Sequence, residues 1–408
     1  MSLTITYQNA DVVRHCEKAA KVLQAIKDRK AYDLEYQLFD SSLQRIYGEL
    51  ENLGRLSDEI KGHYDYLIII GMGGAILNAK SVLGIPHSSD VAILTIDTLD
   101  PWVLNAIRHR VDLNKTAFLV ISKSGETLET TSLLLTWIEV LKRAGIRNIG
   151  KCFHFITLPG DNALRKIAHE MGSVTLEHVQ IGGRFATFSN ISLLPAMVAN
   201  IDVVELCNGG EEILADFWKH EIGSKVFQGA YYLSSSYDTG HDICINMSYL
   251  ESLRGYLEWS NQIVGESLGK SRFGITPIAG NGPQDQHSQL QLYLDGPSNK
   301  YFNILYAKDI TCDGIPNIQF EGAAKAIDIG KILSIQYQSM CDTLSEQQIP
   351  VRQLLLDNLG AKSFGALMML TILETITFGL MSGVNPFGQG AVEKLKERVN
   401  KECSKPTP

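Results

Sequence analysis

Between Tyr64 and Val179 the chain repeats one pattern: a short aliphatic or β-branched block, a turn of glycines or hydroxyls, then apolar residues at helical spacing. The blocks are "YDYLIII", "VAILTID", "AFLVIS", "CFHFITL" and "SVTLEHV", separated by amphipathic stretches such as "TLETTSLLLTWIEVLKRAG". Strands that alternate with helices predict a doubly wound, mostly parallel sheet with helices on both faces. Ligands of such sheets lie at the carboxyl ends of the strands. After Arg184 the pattern turns helical through "FSNISLLPAMVANIDVVELCNGGEEILADFW". It then resumes as "DICINMSY", a helix through Trp259, "ITPIAG", a helix opening near His287, and "YFNILYAK". The expectation is therefore two α/β/α domains with helical N- and C-terminal segments. Residues 1–210 would hold the N-terminal helical segment and the first domain, 211–380 the second, and 381–408 a C-terminal arm returning to the active site.

A length of 408 residues suits two well-buried cores. A net charge of -8 gives no general attraction to nucleic acid or anionic lipid. Seven scattered cysteines, Cys16, Cys152, Cys207, Cys244, Cys312, Cys341 and Cys403, never take C-x-x-C spacing, which points to reduced thiols and a cytoplasmic setting. The N-terminus has no basic region followed by an apolar block, so no signal peptide is expected. "FGALMMLTILETITFGLMSGV" is long enough to suggest a membrane span, but Glu374 at its centre favours a buried helix in a soluble core or subunit interface.

Several stretches carry candidate chemistry. "GMGGAIL" follows a strand and opens a helix, yet Ile76 stands where a dinucleotide fingerprint requires its third glycine. Asp97 ends the next strand at a plausible ribose-binding position, so a nicotinamide enzyme stays as a distant alternative. Gly73 and Gly74 can still bring bare backbone to a ligand. "SKSGETLET" places Ser122, Lys123, Ser124 and Thr127 at a strand-to-helix corner, where hydroxyls and first-turn N–H groups suit a phosphate. An ordinary capped helix would look similar, and Glu126 and Glu129 would repel an anion unless turned away. "IGGRFATFSN" sets Arg184 after two glycines, aimed inward or left on the surface. "NQIVGESLGKS" offers Gln262 and Glu266, and "GNGPQDQHSQLQL" surrounds His287 with amides that could hold one tautomer. The ten histidines never show H-x-H or H-E-x-x-H spacing, so no metal site is expected.

Taken in order, the glycine turn, "SKSGETLET", "GGRFATFS", "VGESLGKS", "DQHSQLQLYLDGP" and "NPFGQGAVEKLK" resemble the shorter bacterial members of the glucose-6-phosphate isomerase family. The resemblance runs from about Tyr64 to Lys396. It implies two domains of the SIS (sugar isomerase) type, a homodimer, and isomerisation of glucose 6-phosphate and fructose 6-phosphate without metal, nucleotide or other cofactor. It further implies that Ser122, Lys123, Ser124 and Thr127 hold the phosphate, with Gly73 and Gly74 beside them. Glu266 matches the family's general base, and Arg184 the arginine facing the developing enediolate. His287 matches the ring-opening residue reaching in from the partner subunit. Lys396 matches the ring-opening lysine, with Lys394 two residues out of register, and Gln262 and Glu129 match further pocket residues. Two departures stand out: Ala75 replaces the serine common in the glycine turn, and "EKLK" replaces the commoner "ELGK". A bifunctional glucose/mannose phosphate isomerase and a noncatalytic sugar-phosphate-binding SIS protein are the alternatives.

Overall fold

The computed structural model describes residues 2–10, 16–30, 33–40, 44–310 and 328–403. Its strands are β1 (Leu3–Gln8), β2 (Tyr66–Ile70), β3 (Ala92–Ile96), β4 (Thr116–Ile121), β5 (Phe153–Thr157), β6 (Val174–Glu177), β7 (Ile243–Ser248), β8 (Thr276–Asn281), β9 (Lys300–Asp309) and β10 (Val351–Asn358). They form two five-stranded sheets, ordered β3-β2-β4-β5-β6 and β1-β10-β9-β7-β8. The chain divides into two compact units. One comprises Met1–Ser41, Gly84–Pro86 and Asp202–Pro386; the other comprises Ser42–Leu83, His87–Ile201 and Phe387–Pro408.

In the second of these units every strand pair is parallel, with Ile68 opposite Leu94 on one side and Phe118 on the other. Helices cover both faces, so β4 and β5 are buried along their whole length and read as unbroken apolar runs. Phe118 stacks on Phe153 at 4.7 Å between ring centres and meets Trp137 at 5.3 Å. His154 lies in this core, 2% exposed, and among the described residues neither ring nitrogen is hydrogen-bonded. Burial pushes its pKa down to about 4 from 6.5, against a weaker upward pull from Glu59. The depressed folded-state value means that stability is fully present above pH 6.5 and is lost as pH falls toward 4, while only the unfolded chain takes up the proton. The loss from this group is roughly 3 kcal/mol. Thermal unfolding of His154→Leu beside the wild type should therefore show a shallower acid limb across that window. Parallel limbs would disprove the assignment.

The other unit keeps three parallel strand pairs and adds β1 antiparallel to β10, with Leu3 opposite Leu356. Its core is the helix Ala361–Met381, of whose 21 residues eighteen are buried. This helix is long and apolar enough to cross a membrane, but 89% of the qualifying window is packed inside the protein. It meets the helix Val203–His220 at reciprocal glycines. A Cβ on Gly209 would fall 1.9 Å from the Lys362 carbonyl oxygen, and one on Gly365 would fall 1.9 Å from that of Leu206, so only glycine permits this approach.

A buried polar network crosses the same core. Arg352 on β10 pairs with Glu374 at 2.7 Å, both side chains 5% exposed. Its Nε donates to Asn303 Oδ1 on β9 at 2.9 Å, and Asn303 Nδ2 donates to Asn246 Oδ1 on β7 at 2.7 Å. Burial pulls the guanidinium down, but Glu374, Tyr7 and Tyr232 together outweigh it and hold Arg352 above its ordinary pKa. Burial likewise pushes the Glu374 carboxyl up, opposed by Arg352. Cys152, Cys207, Cys244 and Cys341 are buried free thiols and Cys403 is exposed and free, whereas Cys312 lies outside the described residues.

Candidate active site

The hydroxyl corner follows directly from β4. Ser122 is 2% exposed, and its Oγ lies 2.9 Å from Thr127 Oγ1 while accepting from the Gly125 N–H at 3.2 Å. Ser124 Oγ accepts from the Glu126 N–H at 3.2 Å. Thr127 stands at the N-cap of the helix Leu128–Arg143, yet its side chain makes no cap bond, because the hydroxyl is turned to Ser122. The first turn therefore lacks the side-chain oxygen that normally satisfies its N–H groups, and its dipole favours an anion there. Glu126 is drawn away: its Oε1 accepts from the Ala163 N–H at 2.8 Å, at the start of the helix Ala163–Met171. Glu129 is half-buried in the first turn. Lys123 Nζ donates to the Ile181 carbonyl at 2.8 Å, crossing to the segment that leads into Arg184.

The glycine turn meets that same segment. Gly73 precedes the helix Gly74–Val82 with φ +56°, and a Cβ on Gly74 would lie 2.7 Å from Gly183 C and 2.8 Å from Arg184 N. Asn78, fully buried, donates from Nδ2 to the carbonyls of Gly74 and, at 2.9 Å, Gly183. Arg184 is 4% exposed, so it is an inward arginine. Its Nη1 donates to Gln389 Oε1 at 3.3 Å and Nη2 to the Gly388 carbonyl at 3.2 Å. Its guanidinium also lies 4.6 Å from the Phe185 ring centre. The "NPFGQG" loop thus folds onto Arg184. Lys396 does not join it: it is exposed on the helix Glu393–Cys403 and donates to Glu393 at 2.9 Å, with Lys394 exposed beside it. Asp97 pairs with Lys80 at 2.6 Å, which engages the carboxylate a nicotinamide ribose would need.

In the other unit, Gln262 and Glu266 lie one turn apart on the helix Arg254–Leu268. Gln262 Nε2 donates to Glu266 Oε1 at 2.9 Å, while Gln262 Oε1 is buried and meets no hydrogen-bond donor among the described residues. Tyr256 OH meets Thr371 Oγ1 at 2.8 Å and ties this helix to the central Ala361–Met381 helix. Glu266 is half-buried. His287 is on the short helix Gly282–Ser288 after β8, exposed, and among the described residues no hydrogen bond reaches its ring. The expectation of an imidazole held by neighbouring amides is not met within one chain. The helical turn points those groups elsewhere: Gln286 Nε2 donates to Tyr249 OH at 2.7 Å, and Asp285 Oδ2 accepts from the Asn281 N–H at 2.9 Å. A cavity of about 170 Å³ opens at the carboxyl ends of β7 and β8, lined by Ser248, Arg254, Glu258 and Asn281. It contains none of the candidate residues.

Sequence reasoning missed Asn78 and Gln389. The signal for Asn78 was a polar residue four positions after Gly74, directly behind the apolar run Ala75–Leu77; Gln389 was hidden in a loop whose partner is 205 residues away.

A glucose-6-phosphate isomerase of Campylobacter jejuni is 31% identical to this chain over 372 residues, covering 88% of this chain and 89% of its own length. The chain belongs to the glucose-6-phosphate isomerase family. Its fold matches a solved Thermus thermophilus protein described only as hypothetical, with a TM-score of 0.90 at 23% identity, covering 98% of this chain and 100% of that one. A solved glucose-6-phosphate isomerase of Chlamydia trachomatis gives a TM-score of 0.79 at 17% identity, covering 98% and 88%. No family model matches the chain. The two mostly parallel sheets of this chain thus share their fold with those solved structures.

Proposed function

We propose that this chain interconverts glucose 6-phosphate and fructose 6-phosphate by moving a proton between C2 and C1 through an enediolate. The observation that carries this reading is the similarity to the Campylobacter jejuni glucose-6-phosphate isomerase across most of both chains. Ser122, Lys123, Ser124 and Thr127, with the backbone of Gly73 and Gly74, hold the phosphate. The uncapped first turn and the withdrawn Glu126 support that role. To reach the anion, Lys123 exchanges the Ile181 carbonyl for phosphate oxygen.

Glu266 is the general base, which removes the proton from one carbon and returns it to the next. Gln262 fixes one of its oxygens, which supports a carboxylate held in a single orientation. Arg184 carries a permanent charge beside the enediolate oxygen, and bonds from its guanidinium to Gln389 and Gly388 fix its plane. His287 and Lys396 serve ring opening, and Glu129 lines the pocket. The overall change relocates a proton and creates no redox equivalent, so side chains suffice.

The working form is a cytoplasmic homodimer, with His287 reaching the partner's substrate. An exposed imidazole that no hydrogen bond reaches among the described residues supports that assignment, and free thiols support the compartment. Size-exclusion chromatography with light scattering tests the assembly, and a coupled assay from fructose 6-phosphate to glucose 6-phosphate tests the reaction. In that assay His287→Ala should lose roughly 10²-fold or more with ring-closed substrate and much less with open-chain substrate. Equal losses on both would reject a ring-opening role.

A further inference from the structure

Asn78 appears in none of the assigned roles, yet it touches two of the segments that carry them. It lies on the helix Gly74–Val82, four residues beyond the glycine turn, and is fully buried. Its Nδ2 donates to the Gly74 carbonyl on its own helix and to the Gly183 carbonyl at 2.9 Å, while its Oδ1 accepts from Thr187 Oγ1 at 2.6 Å. Carbonyl oxygens only accept, so two such partners fix which end of the amide is nitrogen. One side chain thus bridges the turn at Gly73–Gly74 and both flanks of Arg184. Backbone packing reinforces the bridge, since Gly74 touches Gly183 so closely that no Cβ fits.

We propose that Asn78 is a positioning residue that sets the Arg184 guanidinium relative to the glycine turn. This rests on the reading of Arg184 as the enediolate-facing cation. The tip of the Arg184 side chain is held by hydrogen bonds to Gln389 and Gly388 at 3.2–3.3 Å. The base of the side chain is placed by its backbone, which Asn78 holds at the Gly183 carbonyl and Lys123 at the Ile181 carbonyl two residues upstream, while Asn78 also meets the Thr187 hydroxyl. If Lys123 leaves Ile181 to bind phosphate, Asn78 becomes the principal side-chain anchor of the segment during catalysis. A buried amide is suited to that task because losing it leaves the half-buried Gly183 carbonyl without this donor. A displacement of about 1 Å at a reacting group costs about 10²-fold in rate.

The test uses the full-length protein and two variants, Asn78→Ala and Thr187→Val. The second deletes one hydrogen bond while preserving shape and keeps the proposal testable should the first fail to fold. For Asn78→Ala, kcat should fall about 10²-fold with KM changed less than about threefold. Thr187→Val should show a smaller loss of the same kind. Affinity for an aldonic acid phosphate, whose carboxylate mimics the enediolate, should weaken in step with kcat, while inorganic phosphate binds as it does to wild type. Wild-type kcat in both variants, or equal weakening of the two ligands, would overturn the proposal. Arg184→Lys separates the two layers. If it keeps wild-type turnover, the reading of Arg184 fails; if it loses turnover while Asn78→Ala does not, only the positioning role fails.

Discussion

Glu266→Gln is expected to lose about 10²–10⁴-fold in turnover of fructose 6-phosphate, while the protein still binds sugar phosphate. The amide copies the carboxylate in size and keeps an oxygen to accept from Gln262 Nε2, so the helix Arg254–Leu268 has no reason to move. What it cannot do is accept and return a proton. The phosphate corner belongs to other residues, so affinity measured by calorimetry should stay within a few-fold of wild type. Wild-type turnover in the coupled assay would mean that another group is the base.

Arg352→Met is expected to destabilise the protein by about 3–5 kcal/mol, because it strands the Glu374 carboxylate 5% exposed inside the core. The double variant Arg352→Met with Glu374→Leu should recover most of that loss, since apolar side chains of similar size replace a buried ion pair at little cost. The deficit of the single variant should also shrink at acid pH. Burial raises the Glu374 pKa, and a protonated carboxyl carries no stranded charge. Thermal unfolding of the three proteins across pH is the measurement. Equal losses in the single and double variants would show that packing, not charge, holds the site.

That pair also explains what the sequence concealed. β2, β4 and β5 were legible as strands because helices on both faces make them continuous apolar blocks. β10 was not, because "VRQLLLDN" opens with a charge and an amide. The partner that makes the arginine tolerable, Glu374, lies 22 residues away on a helix, beyond the reach of local periodicity. β1 was missed for a different reason: it lies at a sheet edge, with only Leu3 fully buried and exposed Thr4 and Thr6 alternating with half-buried Ile5 and Tyr7.

The site divides along similar lines. The hydroxyl corner was readable because its residues are contiguous, and the structure adds what spacing could not, namely that Thr127 turns to Ser122 and Glu126 caps a neighbouring helix. Arg184 looked equally suited to the surface, because the loop that encloses it arrives from residues 388 and 389. His287 could be located on a helix but not oriented, since which side of a two-turn helix faces inward depends on Tyr249, just after β7 and 37 residues before Gln286, accepting from Gln286.

The antiparallel seam joining residue 3 to residue 356 also sets an order of events. At ribosomal speeds of about 5–20 residues per second, the first strand leaves the exit tunnel tens of seconds before its neighbour exists. Throughout that interval it is an orphan edge, exposed to mispairing with other nascent chains. Final closure of that half of the molecule therefore waits until residue 356 has been made, however early its other pieces condense.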